Sequence, residues 1–172
     1  MAVNAYQPGQ PPSLADNEGQ ISTHSDVYFQ IHDSSHSNEI FKAIKHQGTL
    51  QLTSRRMIWQ NSDKHHKLRD FSVTFGSIQK FELQQPLFGA NYIQGEATGE
   101  PGIFGFQGKI SWYLTFYSGG AVDFGQRLIK VSKESRDRDR LRNTDESVPV
   151  PSYDDESYGG GEAPPGYTNK DD

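Results

Sequence analysis

The chain has 172 residues, 33% of them hydrophobic, a net charge of −5 and no cysteine. That length allows one domain with tails, and the lack of cysteine excludes disulfides, thiolate nucleophiles and zinc fingers together. A hydrophobic share below the usual ~45–50% predicts that part of the chain cannot bury enough apolar surface to fold.

In chain order, residues 1–22 are polar, with Pro8, Pro11 and Pro12. They read as a disordered leader without the apolar core of a signal peptide. Val27, Phe29 and Ile31 alternate with Tyr28 and Gln30, the period of a half-buried strand. Residues 38–45 predict a helical turn capped by Asn38. Leu50 and Leu52 share one face of a strand over 48–53, and Met57, Ile58 and Trp59 follow at once, so the two runs predict a hairpin. A polar turn at 63–67 leads to strands over Phe71, Val73 and Phe75 and over 78–83. The glycine-rich stretch 84–108 predicts loops and short strands. Residues 109–117 carry the clearest strand, with Ile110, Trp112, Leu114 and Phe116 on one face. Gly119 and Gly120 supply the left-handed positions of a tight turn, after which 121–124 is expected to return as the partner strand.

From Gln126 the period changes. Phe124, Leu128 and Val131 stand at i, i+4 and i+7, one face of a helix. The Arg/Asp alternation over 136–142 adds no apolar face, so the helix is expected to fray there. About seven short strands and one C-terminal amphipathic helix therefore predict a mainly β, small curved barrel whose open corner the helix covers, hiding edge strands. The expected domain is 23–142. Residues 143–172 carry 8 acidic residues against 1 basic, and residues 1–142 carry 16 basic against 14 acidic. The tail is thus an acidic, disordered segment, and a nearly neutral body argues against direct, sequence-specific nucleic-acid binding.

Within that tail stand Pro164, Pro165, Gly166 and Tyr167. Two prolines fix an extended polyproline II backbone, and the tyrosine two positions on can fill an adjacent pocket, which is the pattern WW domains read. Pro151-Ser152-Tyr153 has Val150 where a first proline belongs, so Pro151 and Tyr153 form a degenerate second site; Pro11-Pro12-Ser13-Leu14 ends in leucine instead of tyrosine. The basic residues Lys64, Lys67 and Arg69, with Arg55 and Arg56 on the facing strand, are candidates for a phosphoinositide or anionic-membrane site. His65 and His66 are adjacent, so their rings point to opposite faces of a strand and do not suit one metal. No nucleophile elbow, framed carboxylate pair, phosphate loop or metal triad is present, so neither an enzyme nor a cofactor is expected. No apolar run nears the roughly 18 residues of a membrane span, and the chain reads as soluble and intracellular.

Two runs are more specific than strand and turn. Residues 85–95 (Gln85-Pro86-Leu87-Phe88-Gly89-Ala90-Asn91-Tyr92-Ile93-Gln94-Gly95) form the first. Leu114-Thr115-Phe116, with Gly119-Gly120-Ala121-Val122-Asp123-Phe124-Gly125-Gln126-Arg127, forms the second. Both resemble the GRAM domain of the WW domain-binding protein 2 family, which includes the postacrosomal sheath WW domain-binding protein. Gly48-Thr49-Leu50 and Leu52-Thr53 are a third, weaker match, so the resemblance spans 25–133. It implies a pleckstrin-homology-like fold and an adaptor or transcriptional coactivator moving between cytoplasm and nucleus; the chain is expected to be a monomer. It also implies WW-domain proteins as partners, held by Pro164, Pro165 and Tyr167, with transcription regulators as further partners. A peripheral membrane protein whose folded domain binds phosphoinositides is the alternative. The family's long tail carries several such motifs, whereas here one is intact.

Overall fold

The computed structural model describes residues 2–7, 10–33, 45–99 and 108–145. Its strands are β1 (Ala2–Val3), β2 (Gln20–Asp33), β3 (His46–Thr53), β4 (Arg56–Asn61), β5 (Asp70–Thr74), β6 (Ile78–Gln84), β7 (Tyr92–Gly99) and β8 (Gly108–Phe116). A 3-10 turn, Phe75–Ser77, joins β5 to β6, and one helix, α1 (Ala121–Asp145), ends the described chain. All strand pairs are antiparallel, in the order β1-β5-β4-β3-β2-β8-β7-β6.

β2 makes the sheet curve. Its first half pairs with β3 from Gln20, its second half pairs with β8 out to Asp33, and Val27 to Phe29 pair with both. A register shift between His24 and Val27, with Asp26 at φ 57°, bends the strand where it passes from one half of the sheet to the other. Phe29 lies in the fold of that bend, its ring 4.9 Å from Trp59 and 4.8 Å from Phe71. β7 and β8 alternate buried and open residues along their length, placing Ile93, Ala97, Ile110, Trp112, Leu114 and Phe116 inside, as the strand period predicts.

α1 covers the open corner. Ala121, Phe124, Leu128 and Val131 are buried, one helical stripe against the core. The return strand expected at 121–124 is corrected: Gly119 (φ 82°) and Gly120 (φ 93°) turn the chain, and the Phe124 amide donates to the Gly120 carbonyl at 2.9 Å, opening the helix at once. The fraying expected over 136–142 is corrected too. Arg136 donates to the Ile78 carbonyl at 3.0 Å and Arg138 to the Ser54 carbonyl at 2.8 Å, so guanidinium anchors replace the missing apolar face. The helix takes in the first three residues assigned to the tail.

The leader is the largest correction. Ala2–Val3 pairs with β5, the Ala5 and Tyr6 amides donate to the Asp70 carboxylate at 2.8 and 3.3 Å, and Gln60 donates to the Gln10 carbonyl at 3.0 Å. Residues 2–7 and 10–19 thus form a strap across β3, β4 and β5. It explains why Ile58, Asp70 and Ser72 are buried although they face away from the core. The helical turn expected at 38–45 lies, save Lys45, outside the described residues.

Candidate functional site

Pro151, Tyr153, Pro164, Pro165 and Tyr167 all lie outside the described residues. The basic cluster lies inside them, and the structure does not bring it together. Arg55 sits in the tight turn before β4, whereas Lys64, Lys67 and Arg69 follow that strand's other end. Six residues of strand span about 17 Å at ~3.4 Å each. Arg56 is engaged in an ion pair with Glu18, 2.8 Å from Nε to Oε1. Arg69 meets the strap twice, its backbone amide donating to Asn4 Oδ1 at 2.7 Å and its guanidinium to the Asn4 carbonyl at 3.5 Å. Lys64 and Lys67 stay exposed, between Asp63 and Asp70. Adjacency across a predicted hairpin suggested one patch; the hairpin's true geometry puts its members at opposite ends of β4.

The histidines also part company. His65 is exposed, while the His66 ring lies tilted by 43° against His46 of β3, with centroids 3.8 Å apart. Nδ1 of His66 accepts the Leu68 amide at 3.0 Å. Among the described residues no group of three or more metal-ligating side chains assembles, and no helix is long and apolar enough to cross a membrane.

Two imidazoles resist protonation. Burial pushes the His24 pKa below the ordinary 6.5, with Asp123 opposing and Arg127 adding to the shift; its ring meets Phe116 and Phe124 edge-on. Burial, then the neighbouring His66, push His46 down as well, against Asp63. Both groups bind a proton less readily folded than unfolded, so the unfolded state takes up more protons as pH falls below about 6.5. Stability is therefore present above that value and is lost as pH falls through the folded pKa values. Melting curves between about pH 7.5 and 5.5 should show Tm declining, and the decline should flatten in His24→Gln/His46→Gln. A pH-independent Tm in the wild type would count against this.

One feature escaped the sequence reading. Phe81 and Leu83 of β6, Ile93 of β7, and Val122, Gly125, Gln126 and Ile129 of α1 line a largely apolar trough of about 220 Å³. β6 ends the strand order, so the trough runs between the edge of the sheet and the helix. Val122 (38% exposed) and Ile129 (59% exposed) stand off the core stripe of α1. Their i, i+7 spacing was the available signal, but it needs β6 beside it to mean a trough. Leu87 and Phe88, 96% and 93% exposed, cap the loop that leaves Leu83.

No family model matches the chain. Human WW domain-binding protein 2 is 34% identical over 136 residues, 78% of this chain and 51% of that protein. The chain belongs to the WW domain-binding protein 2 family. A bovine relative, postacrosomal sheath WW domain-binding protein, is 36% identical over 89 residues, covering 49% of this chain and 27% of the relative. The chain thus spans about half the length of human WW domain-binding protein 2. The solved Vps36 N-terminal PH domain superposes with a TM-score of 0.54 at 16% identity, over 78% of this chain and 92% of that one. The folded part of this chain is therefore a pleckstrin-homology-like sheet closed by a C-terminal helix.

Proposed function

We propose that this protein is a non-enzymatic adaptor that binds WW domains through Pro164, Pro165 and Tyr167. The observation that carries the reading is the presence of an intact Pro-Pro-Gly-Tyr motif in a chain whose homologues are named WW domain-binding proteins. The prolines offer a backbone already extended, which lowers the entropy lost on docking, and Tyr167 fills the adjoining pocket. With so few side chains in contact, the Kd falls between about 1 µM and 1 mM. The pleckstrin-homology-like domain carries the motif to a second partner. Transcriptional coactivation, shared between cytoplasm and nucleus, is the role that fits this family.

Calorimetric titration of a WW domain into the full chain tests the proposal. Binding in that range should vanish in Tyr167→Ala and change little in Tyr153→Ala, whose site lacks its first proline. Failure of the wild type to bind a panel of WW domains, or indifference to Tyr167→Ala, would reject it.

A further inference from the structure

The trough between β6 and α1 has a direction. Its apolar part runs along the helix from Ile129 to Val122, seven residues or about 10 Å. The same stripe of α1, followed the other way at alternating steps of four and three, passes from Ile129 to Lys133 and Arg136. The Arg136 guanidinium confirms that placement, since it reaches the Ile78 carbonyl at the start of β6. The groove is therefore basic at the end nearer the helix C-terminus and apolar at the other. At the apolar end Leu83 leads into the loop that holds Leu87 and Phe88. Gly125 keeps the floor open: a Cβ there would stand 3.6 Å from Ile93 Cδ1 and 4.0 Å from Leu83 Cβ. Its backbone is helical, so no turn geometry requires a glycine at that position.

The residues after α1 present the matching order. Beyond Asp145 come Asp154, Asp155 and Glu156, and only then Pro164, Pro165, Gly166 and Tyr167. Residues 146–172 hold 7 acidic residues against 1 basic, whereas α1 holds 7 basic against 5 acidic. Nine residues separate Asp154 from Asp145, a reach of up to about 30 Å; Arg136 lies about 14 Å back along the helix. Nineteen residues separate Pro164 from Asp145, a reach of up to about 60 Å, against about 35 Å to Val122. The motif's four residues in polyproline II form extend about 9 Å between their outer Cα atoms, the length of the apolar trough. Proline has no amide proton to offer the β6 edge, so ring packing on Phe81, Leu83 and Ile129 is the contact available to it.

We infer that the tail folds back in cis, setting Asp154–Glu156 against Lys133 and Arg136 and laying Pro164–Tyr167 in the trough, so that the WW motif is masked until a WW domain competes for it. This rests on the function proposed above and adds its regulation. A tethered segment has an effective concentration of about 1 mM. A trough that holds the motif with a Kd of roughly 0.25 mM would therefore weaken the apparent WW affinity about fivefold.

Two readouts on the full-length chain test it. In amide NMR spectra, Tyr167→Ala should shift Val122, Gly125 and Ile129 without any WW domain present, and the shifts should survive tenfold dilution. In titrations, Ile129→Glu, at an exposed position, and separately Lys133→Glu should each tighten WW binding, with a gain of about fivefold when masking is lost. Unmoved trough amides, or WW affinities in both variants equal to that of the wild type, overturn the inference. Shifts that fade on dilution overturn it too, because they assign the trough to the tail of a second copy. If no variant binds any WW domain while the trough shifts persist, the proposed function fails and the cis docking stands.

Discussion

Gly48→Ala should destabilise this domain far more than the addition of a single methyl group suggests. Gly48 lies in β3 directly across from Asn61 of β4 and beside Val27 of β2. A Cβ there would overlap the Gln60 carbonyl oxygen and stand 2.6 Å from Cε2 and Nε1 of Trp59. Neither neighbour can yield. The Gln60 carbonyl is backbone in a central strand, and Trp59 is fully buried, with its indole N–H donating to the Val27 carbonyl at 3.1 Å and its ring against Phe29. Moving the ring would break a buried hydrogen bond and shift the bend that sets the curvature of the sheet. The expected cost is about 3 kcal/mol or more, the upper range for overpacking, or a Tm lower by roughly 10 °C for a chain of this size. Gly76→Ala is the control, because a Cβ at Gly76 meets nothing within 4 Å. Thermal melts of the two variants decide the matter; a Gly48→Ala Tm within about 2 °C of the wild type would show that the strands separate more easily than this packing allows.

Strands are legible in the sequence where only one of their faces meets the core. Ile110, Trp112, Leu114 and Phe116 alternate because one face of β8 meets the core and the other does not, so period and burial coincide. The hairpin of β3 and β4 was legible for the same reason: Leu50 pairs with Trp59 and Leu52 with Met57. The signal fails where a strand is covered on both faces. Asp70 and Ser72 are polar yet buried beneath the strap, and hydropathy cannot show that a leader rich in proline and polar residues will be held by hydrogen bonds to Asp70, Lys67 and Arg69. Position along the chain misleads again at 121–124, where the apolar spacing of Ala121 and Phe124 serves a helix one residue after the glycine pair. For the candidate sites the contrast is sharper. A linear motif such as Pro164–Tyr167 is readable because its chemistry lies in four consecutive residues. The trough is not readable, because Leu83, Ile93 and Ile129 converge only after β6, β7 and α1 have packed.

Removing Glu18 should release the strap and cost the domain about 3 kcal/mol. The carboxylate is 1% exposed and is held from three sides. Arg56 grips both oxygens at 2.8 Å, Thr53 Oγ1 stands 2.7 Å away, and the Ala15 amide donates at 2.9 Å. Burial pushes the Glu18 pKa up, but the hydrogen bonds from Arg56, Ala15 and Thr53 outweigh it, so the group lies below its ordinary 4.5. A carboxyl depressed in the fold stabilises above its unfolded pKa, and that contribution is lost as pH falls through the folded value. In Glu18→Gln the bidentate, charge-assisted pair is gone, leaving Arg56 with its side chain only 23% exposed and no counter-charge. The second contact of that guanidinium, with the Ser13 carbonyl at 3.1 Å, belongs to the same strap and loses its support. The loss should therefore be local first. Hydrogen exchange at Ala5, Tyr6 and Ser54 should speed up before the core opens, because their amides bond to Asp70 and Gly19 only while the strap lies in place. Glu18→Gln/Arg56→Met should recover part of the stability, since an unpaired half-buried charge is costlier than none. If exchange at those three amides stays as slow as in the wild type while Tm falls, Glu18 supports β4 directly and the strap is held by Asn4 and Asp70 alone.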